Sequence, residues 1–517
     1  MKLRTIFMSM LVIAALTSCN NDDVDHHGGP QMADVDVAYL SIKIETQPTT
    51  RASGSAEKPG ENESDLKALY LITFDEHGMV VGIPGTTNYF TMLSTSSTTP
   101  EAIKVSKNAK QLLVIANPDG MLKNAINNIS VTSSFSSVNA AITGTTKNEV
   151  IDNPNSISKG FTMINSGPDE EAEGKVTNLL IDISNSLKDN ENEAEANRVP
   201  VSLERLAAKL DLQEKPGGAT TKQEGASFTF GRWTLDAVNS TYFPCAEKHI
   251  LGSTHTQGIY KKNFYTYDPN FNGASGLVFA TIDTDNDYSP LLAESYDWQN
   301  KGTTAYCIEN TMDADHQLFG NATRLVIQAT YFPSGFNTQG DWFNYAGKNY
   351  DGLEKLKEAY SEAGEDSNLK KACDKMFNKI KAYASEHPGI TISGVNFASL
   401  TEEDLSKIPN GGQVIKDGKD DVIRWYKEGL CYYYYMIRHD NTLNDEMVFG
   451  KYGVVRNNWY SLTLNSVGGP GSPWYPEANN PGPGDPDPKD PIDEAAGYLG
   501  ITVSVAPWIV WENEIDI

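Results

Sequence analysis

The stretch YLGITVSVAPWIVWENEIDI (Tyr498–Ile517) closes the chain with a period-two alternation. Leu499, Ile501, Val503, Val505, Ile509 and Trp511 fall on odd positions, with Pro507 in the same register. Thr502, Ser504 and Ala506 take the other side. Successive side chains of a strand point to opposite faces, so this reads as a β-strand with one apolar face. A lone strand is not stable in water. It must add to a sheet, its own or a neighbour's, and a β-rich fold is the first expectation.

The segment before it, GGPGSPWYPEANNPGPGDPDPKDPIDEAAG (Gly468–Gly497), is dense in proline and acidic residues. That composition predicts an extended, solvated linker. A second isolated strand stands at the other end of the chain. VDVAYLSIKIE (Val35–Glu45) places Ala38, Leu40, Ile42 and Ile44 on one face. It is followed by TQPTTRASGSAEKPGENES (Thr46–Ser64), a small, polar tether with a single arginine, Arg51, inside it.

Between these ends, strand-like runs recur between Gly, Asn, Asp, Pro and Ser clusters, the pattern of β-sandwiches. They include LKALYLITF (Leu66–Phe74), QLLVIA (Gln111–Ala116), VPVSLERLAAKLDL (Val199–Leu212) and Ser227–Leu235. In the second half, TRLVIQATY (Thr323–Tyr331), LCYYYYMIR (Leu430–Arg438) and VVRNNWYSLTLNSV (Val454–Val467) are the strongest. A composition shift after Leu212 places a domain boundary between Leu212 and Phe243, giving domains over 52–235 and 236–467. Leu353–Glu386 breaks the pattern with two amphipathic helices, read as an insertion in the second domain.

The 517 residues suffice for more than one core. With 42 Lys+Arg against 68 Asp+Glu, the net charge of −26 argues against nucleic acid and anionic membrane as partners. Lys2 and Arg4, the apolar Leu11–Leu16 and Leu16-Thr17-Ser18-Cys19 form an export signal over 1–19. Its ending is similar to a bacterial lipobox, with Cys19 as the lipidated residue. The other cysteines, Cys245, Cys307, Cys373 and Cys431, permit three complete pairings or none.

No pattern for catalysis or a cofactor emerges. GxSxG, Walker, HExxH and dinucleotide-binding signatures are missing from the sequence. Cys245, His249 and His255 match no standard zinc spacing. Asp283, Asp285, Asp287 and Glu294 imitate part of a calcium loop, but Tyr288 stands where the turn needs glycine. Neither supports a metal site. The tyrosines Tyr432–Tyr435 with Trp425 raise an alternative, a glycan-stacking face on a surface lipoprotein, against the ordinary use of aromatics on half-buried strands.

Together, Cys19, the pro-segment ending at Arg51, QLLVIANP (Gln111–Pro118), RLAAKLDL (Arg205–Leu212), YYYYMIRHDN (Tyr432–Asn441), YGVVRNNWYSLTLNSVGGPG (Tyr452–Gly471) and the ITVSVAPWIVW tail resemble the Bacteroidales type V fimbrillins. Within them the chain looks most like the short-fimbria (Mfa-type) major subunits. The resemblance implies a mainly all-β fold of two tandem transthyretin-like Greek-key β-sandwich domains. It implies lipoprotein transport to the outer membrane and cleavage at Arg51–Ala52 by an Arg-specific protease. The leader strand Val35–Glu45 of the pro-segment (20–51) would then be displaced, and Tyr498–Trp511 of a neighbour would be the donor that replaces it. Identical subunits would join head to tail in an extracellular adhesive fimbria, with anchor and tip accessory subunits and a host or bacterial receptor as further partners. No cofactor is implied. An anchor or tip subunit is the alternative within the family.

Overall fold

The computed structural model describes residues 37–45, 63–118, 120–142, 160–165, 174–176, 179–239, 242–251, 263–266, 268, 271, 279–280, 298–418, 422–440, 443, 445–476, 481–494 and 499–507. The fold is mainly β, as the alternating runs predict, and its two large sheets follow one another along the chain.

The first is seven-stranded, in the order Ile42–Glu45, Val199–Arg205, Met163–Asn165, Gln111–Ala116, Leu69–Phe74 and Thr91–Leu93, with Ile181–Asp182 also paired to Gln111–Ala116. Its central strands are apolar on both faces. Leu69, Leu71, Leu112 and Val114 join one core with the leader residues and Ile103 and Val105. Tyr70, Ile72, Leu113 and Ile115 join another with Leu122, Ile126, Val138 and Ile142, which come from helices Gly120–Asn127 and Phe135–Ile142. A strand buried on both faces reads as a continuous apolar run, as LYLITF and QLLVIA do.

The second sheet orders Thr220–Thr221, Asn458–Val467, Ala207–Glu214 and Thr304–Ile308, with Leu499–Pro507 paired to Asn458–Val467. Facing it is a three-stranded sheet of Ser227–Asp236, Arg324–Phe332 and Leu430–Met436. Leu210, Leu212, Tyr460, Leu462 and Leu464 from one sheet and Trp233, Leu325, Ile327, Cys431 and Tyr433 from the other fill a shared core.

Two expectations change. VPVSLERLAAKLDL is two strands, Val199–Arg205 and Ala207–Glu214, and it belongs to both sheets. The chain therefore leaves the first sheet at Leu206, upstream of the 235/236 division. The buried Leu206 continues the apolar pattern, so nothing in hydropathy marks the crossing. The helical insertion is also larger than two helices. Gly352–Glu362 and Asn368–Glu386 pack with Phe397, Leu400, Leu405 and Ile415 on a small sheet of Trp342–Tyr345, Lys348–Asp351 and Arg424–Tyr426. Alternation splits this sheet between two cores. Phe343 and Trp425 face the helices, whereas Trp342 and Tyr426 stack at 3.8 Å in the sandwich core.

Replacing Trp342 by Ala should cost about 3–5 kcal/mol of global stability in denaturant unfolding, as for a large buried aromatic. Phe343→Ala should instead accelerate amide exchange in 353–386 while leaving the Arg324–Phe332 strand protected. Equal effects of both variants on both regions would refute two separate cores.

Candidate functional site

The leader stretch is the most unusual element in its placement. Its even residues are core: Ala38 2%, Leu40 0%, Ile42 2% and Ile44 2% exposed. Yet it is not one strand. Val37–Leu40 runs antiparallel to Ile103–Ser106, and Ile42–Glu45 runs parallel to Val199–Ser202. Ser41 is the crossing point. Its carbonyl accepts the Val199 N–H at 2.9 Å and its hydroxyl reaches the Pro100 carbonyl at 3.4 Å. Tyr39 exchanges backbone bonds with Lys188 at 2.8 and 3.0 Å, and the Ile44 N–H donates to the Thr98 carbonyl at 2.7 Å. One short segment thus closes a trough between two layers and covers the outer edge of Val199–Arg205. Without it, that edge would present unpaired backbone groups beside an apolar trough lined by Leu71, Val105, Leu112 and Val201.

At the other end, Leu499–Pro507 lies antiparallel along the whole of Asn458–Val467, with one register shift between Leu464 and Ser466. The strand read from alternation exists, and here it adds to the chain's own sheet. Ile509 and Trp511 lie outside the described residues, as do Cys19, Arg51 and Ala52.

The proline-rich segment before this strand differs from the solvated linker its composition predicts. Trp474, Tyr475 and Ile492 are buried. Trp474 Nε1 donates to Asp485 at 2.7 Å, and Ser472 bridges to Tyr432 through both backbone groups. The Pro476 carbonyl accepts from Arg324 Nη2 at 3.1 Å, and the same guanidinium pairs with Asp236. The carbonyls of Pro488 and Asp490 accept from the N–H groups of Gly320 and Phe319. Lys451 Nζ meets Asp493 at 2.8 Å, and the Tyr452 hydroxyl donates to the same carboxylate at 2.7 Å. Burial pushes the Asp493 carboxyl upward. The bonds from Lys451, Tyr452 and the Met447 N–H outweigh it and hold the group below the usual carboxylate range. Proline removes donors, not acceptors, so a proline-rich chain can still be tied down by its carbonyls.

The rival stacking face does not form. Trp425 is buried, with its indole N–H on Asp341 at 2.7 Å, and Tyr432 and Tyr433 are buried in the sandwich. Tyr434 packs edge-on to Phe319, and Tyr435 packs against the sandwich core. Cys245, Cys307, Cys373 and Cys431 are buried and form no disulfide with one another; burial pushes the thiols of Cys245, Cys373 and Cys431 up to about 12. His255 and the 283–287 acidic stretch with Glu294 lie outside the described residues.

Two family models match the chain. The model for the major fimbrial subunit protein (FimA) covers residues 38–205, and the model for the C-terminal part of fimbrillin, the type IV major fimbrial subunit protein, covers 424–514. This chain belongs to the fimbrillin family. As a fimbrillin it is a fimbrial subunit of the cell surface. The first match starts in the leader strand at Ala38 and ends at Arg205, one residue before the chain changes sheets. The second contains the terminal strand. No curated protein matches the chain. Among solved structures, a fimbrilin from Porphyromonas gingivalis is similar at 15% identity and a TM-score of 0.39, over 92% of this chain and 98% of that one. The tip fimbrial protein Mfa3 from Porphyromonas gingivalis, with a C-terminal truncation, is similar at 14% identity and a TM-score of 0.34, over 91% and 100%.

Sequence reasoning located both terminal strands. It missed the crossing at Ser41, because Ala38 to Ile44 keep a single unbroken parity across it. It also missed the docked linker, whose only signal was Trp474, Tyr475 and Ile492 among polar neighbours.

Ile42→Ala should destabilise the uncleaved chain by about 2–5 kcal/mol in denaturant unfolding. A chain starting at Ala52 lacks the residue, so its stability defines the baseline the variant approaches. For the linker, the depressed Asp493 carboxyl stabilises the fold above the ordinary aspartate range, near pH 4. That contribution disappears as pH falls through the folded value. The gap in thermal stability between wild type and Lys451→Met should therefore narrow from pH 6 to pH 3; a constant gap would contradict this pairing.

Proposed function

We propose that the chain is a shaft subunit of an adhesive surface fimbria, polymerised by donor-strand exchange. In this reading the precursor is exported and lipidated at Cys19, and residues 20–51 form a pro-segment. An Arg-specific protease cuts between Arg51 and Ala52. The leader, with Ala38, Leu40, Ile42 and Ile44, leaves the trough. Tyr498–Trp511 of the next subunit enters it with Leu499, Ile501, Val503, Val505, Ile509 and Trp511 as the apolar set.

The observation that carries this reading is the leader itself. It is short, fills a trough with four side chains, covers a sheet edge, and is followed by a small polar tether that contains Arg51. A segment with those properties is severable, and its loss creates a template for another strand. The terminal strand has the required alternation. It also forms a strand on its own Asn458–Val467, so donation consists of leaving that sheet for a neighbour's trough. Each subunit would present a trough at one place and a strand at another. The contact is heterologous and does not close, which generates a filament.

Purified precursor treated with an Arg-specific protease should give SDS-resistant ladders on a gel. Arg51→Ala should abolish them, as should deletion of 498–517 in a protein that still shows a cooperative unfolding transition. Ladders that persist in either variant would overturn the reading.

A further inference from the structure

Glu63, near the end of the tether that holds Arg51, is the first described residue after Arg51, and it is 1% exposed. Its carboxylate lies 3.0 Å from Lys209 Nζ and accepts from the Tyr306 hydroxyl at 2.5 Å. Its carbonyl accepts from Arg205 Nε at 2.9 Å. The same guanidinium donates to Ser64 Oγ at 3.2 Å and to Asn457 Oδ1 at 3.1 Å. The Lys209 ammonium sits 3.8 Å above the Trp459 ring. Asn457 adopts a left-handed φ of 57° and its N–H donates to the Ala207 carbonyl at 2.8 Å. Arg205–Leu212 supplies two direct partners of Glu63, and Tyr452–Gly471, far away in sequence, supplies Asn457 and Trp459 as partners of those two side chains.

A second hold follows at once. The Asn117 side chain accepts from the N–H groups of Lys67 and Ala68 at 2.8 and 3.3 Å. It donates to the carbonyls of Asp65 and Phe161 at 2.7 and 3.0 Å. Asn117 itself has φ 50°, and a Cβ on Gly160 would come within 2.6 Å of its Nδ2. The segment 63–68 is thus tied by side chains from elsewhere, immediately before Leu69–Phe74 enters the first sheet.

A buried charge cluster adds little net stability, because desolvation offsets the attraction. What it does well is specify one position for the backbone that carries it. We propose that Glu63, with Asn117 behind it, is an anchor for the N-terminus created by processing. A severed chain end frays, because local opening near a free end costs almost nothing. The anchor stops fraying before Leu69–Phe74, whose Leu69 and Leu71 line the same core as the leader. The trough can then be emptied while its floor stays in place. This inference rests on the reading that the chain is cut at Arg51.

Lys67 is a built-in reporter, since its side chain is 48% exposed while its N–H is held by Asn117. A lysine-specific protease can cut Lys67–Ala68 only when 63–68 opens. The test compares full-length protein with a chain starting at Ala52, each as wild type, Glu63→Gln and Val114→Ala, with cleavage followed by intact mass. Val114 is buried in the leader core and belongs to neither hold, so its variant reports on global stability alone. Glu63→Gln should accelerate the Lys67–Ala68 cut on the order of tenfold or more, as expected for loss of charged bonds from a local opening. Val114→Ala should change it by less than about twofold at temperatures well below its transition, where opening is local. Where Glu63→Gln folds poorly, Asn117→Gly keeps the left-handed conformation, removes the side-chain bonds, and should give the same acceleration. Equal rates in wild type and the folded anchor variants, or equal acceleration by Val114→Ala, would overturn the proposal. The chain starting at Ala52 tests the anchor whether or not Arg51 is the processing site, whereas a precursor left uncut at Arg51 sinks the processing reading alone.

Discussion

A sheet edge with an apolar trough behind it has to be covered, and in this fold the leader strand covers it. Ile42–Glu45 completes the first sheet beside Val199–Arg205, while Val37–Leu40 pairs in the opposite layer with Ile103–Ser106. Much of the first core depends on this placement, because Leu69, Leu71, Leu112 and Val114 meet the leader's side chains. The constraint is local and severe: unpaired backbone groups and bare aliphatic side chains are exposed together if the segment is lost.

The two sheets are joined by a single short crossing and by buried charge. Arg205 and Lys209 flank Leu206, and both reach back to Glu63. Nearby, Arg456 pairs with Glu309 and takes the carbonyls of Phe243 and Pro244, and Lys248 meets Glu204 at 2.5 Å. Such groups contribute less to stability than to uniqueness, since each buried charge tolerates only the arrangement that pairs it. The docked linker follows the same logic with carbonyls as acceptors, through Arg324 on Pro476 and Arg424 on Pro483.

Alternation made the strands legible. Asn458–Val467 and the leader residues 37–45 follow their hydropathy patterns closely, because backbone with one buried face writes its period directly into sequence. The resemblance carried by the RNNWY and RLAAKLDL stretches gave the family. The purpose of their polar residues stayed hidden, because Arg205 and Lys209 act on Glu63 across more than a hundred residues of chain and Asn457 holds Arg205 from further still. The tyrosine run was ambiguous for a different reason: a ring on a strand has the same pattern whether it faces core or ligand, and only the packing around Tyr432 and Tyr433 separates the two.

By itself the sequence determined that the chain is β-rich, that each end carries a strand with one apolar face, and that Arg51 lies in a polar tether next to one of them. These are properties of neighbouring residues, and period and composition report them. Only the tertiary structure decided that the leader divides itself between two layers at Ser41, that the sheets change at Leu206, and that the proline-rich segment is docked rather than free. Each of those depends on which distant group accepts a bond or fills a gap, and a one-dimensional pattern holds no record of such partners.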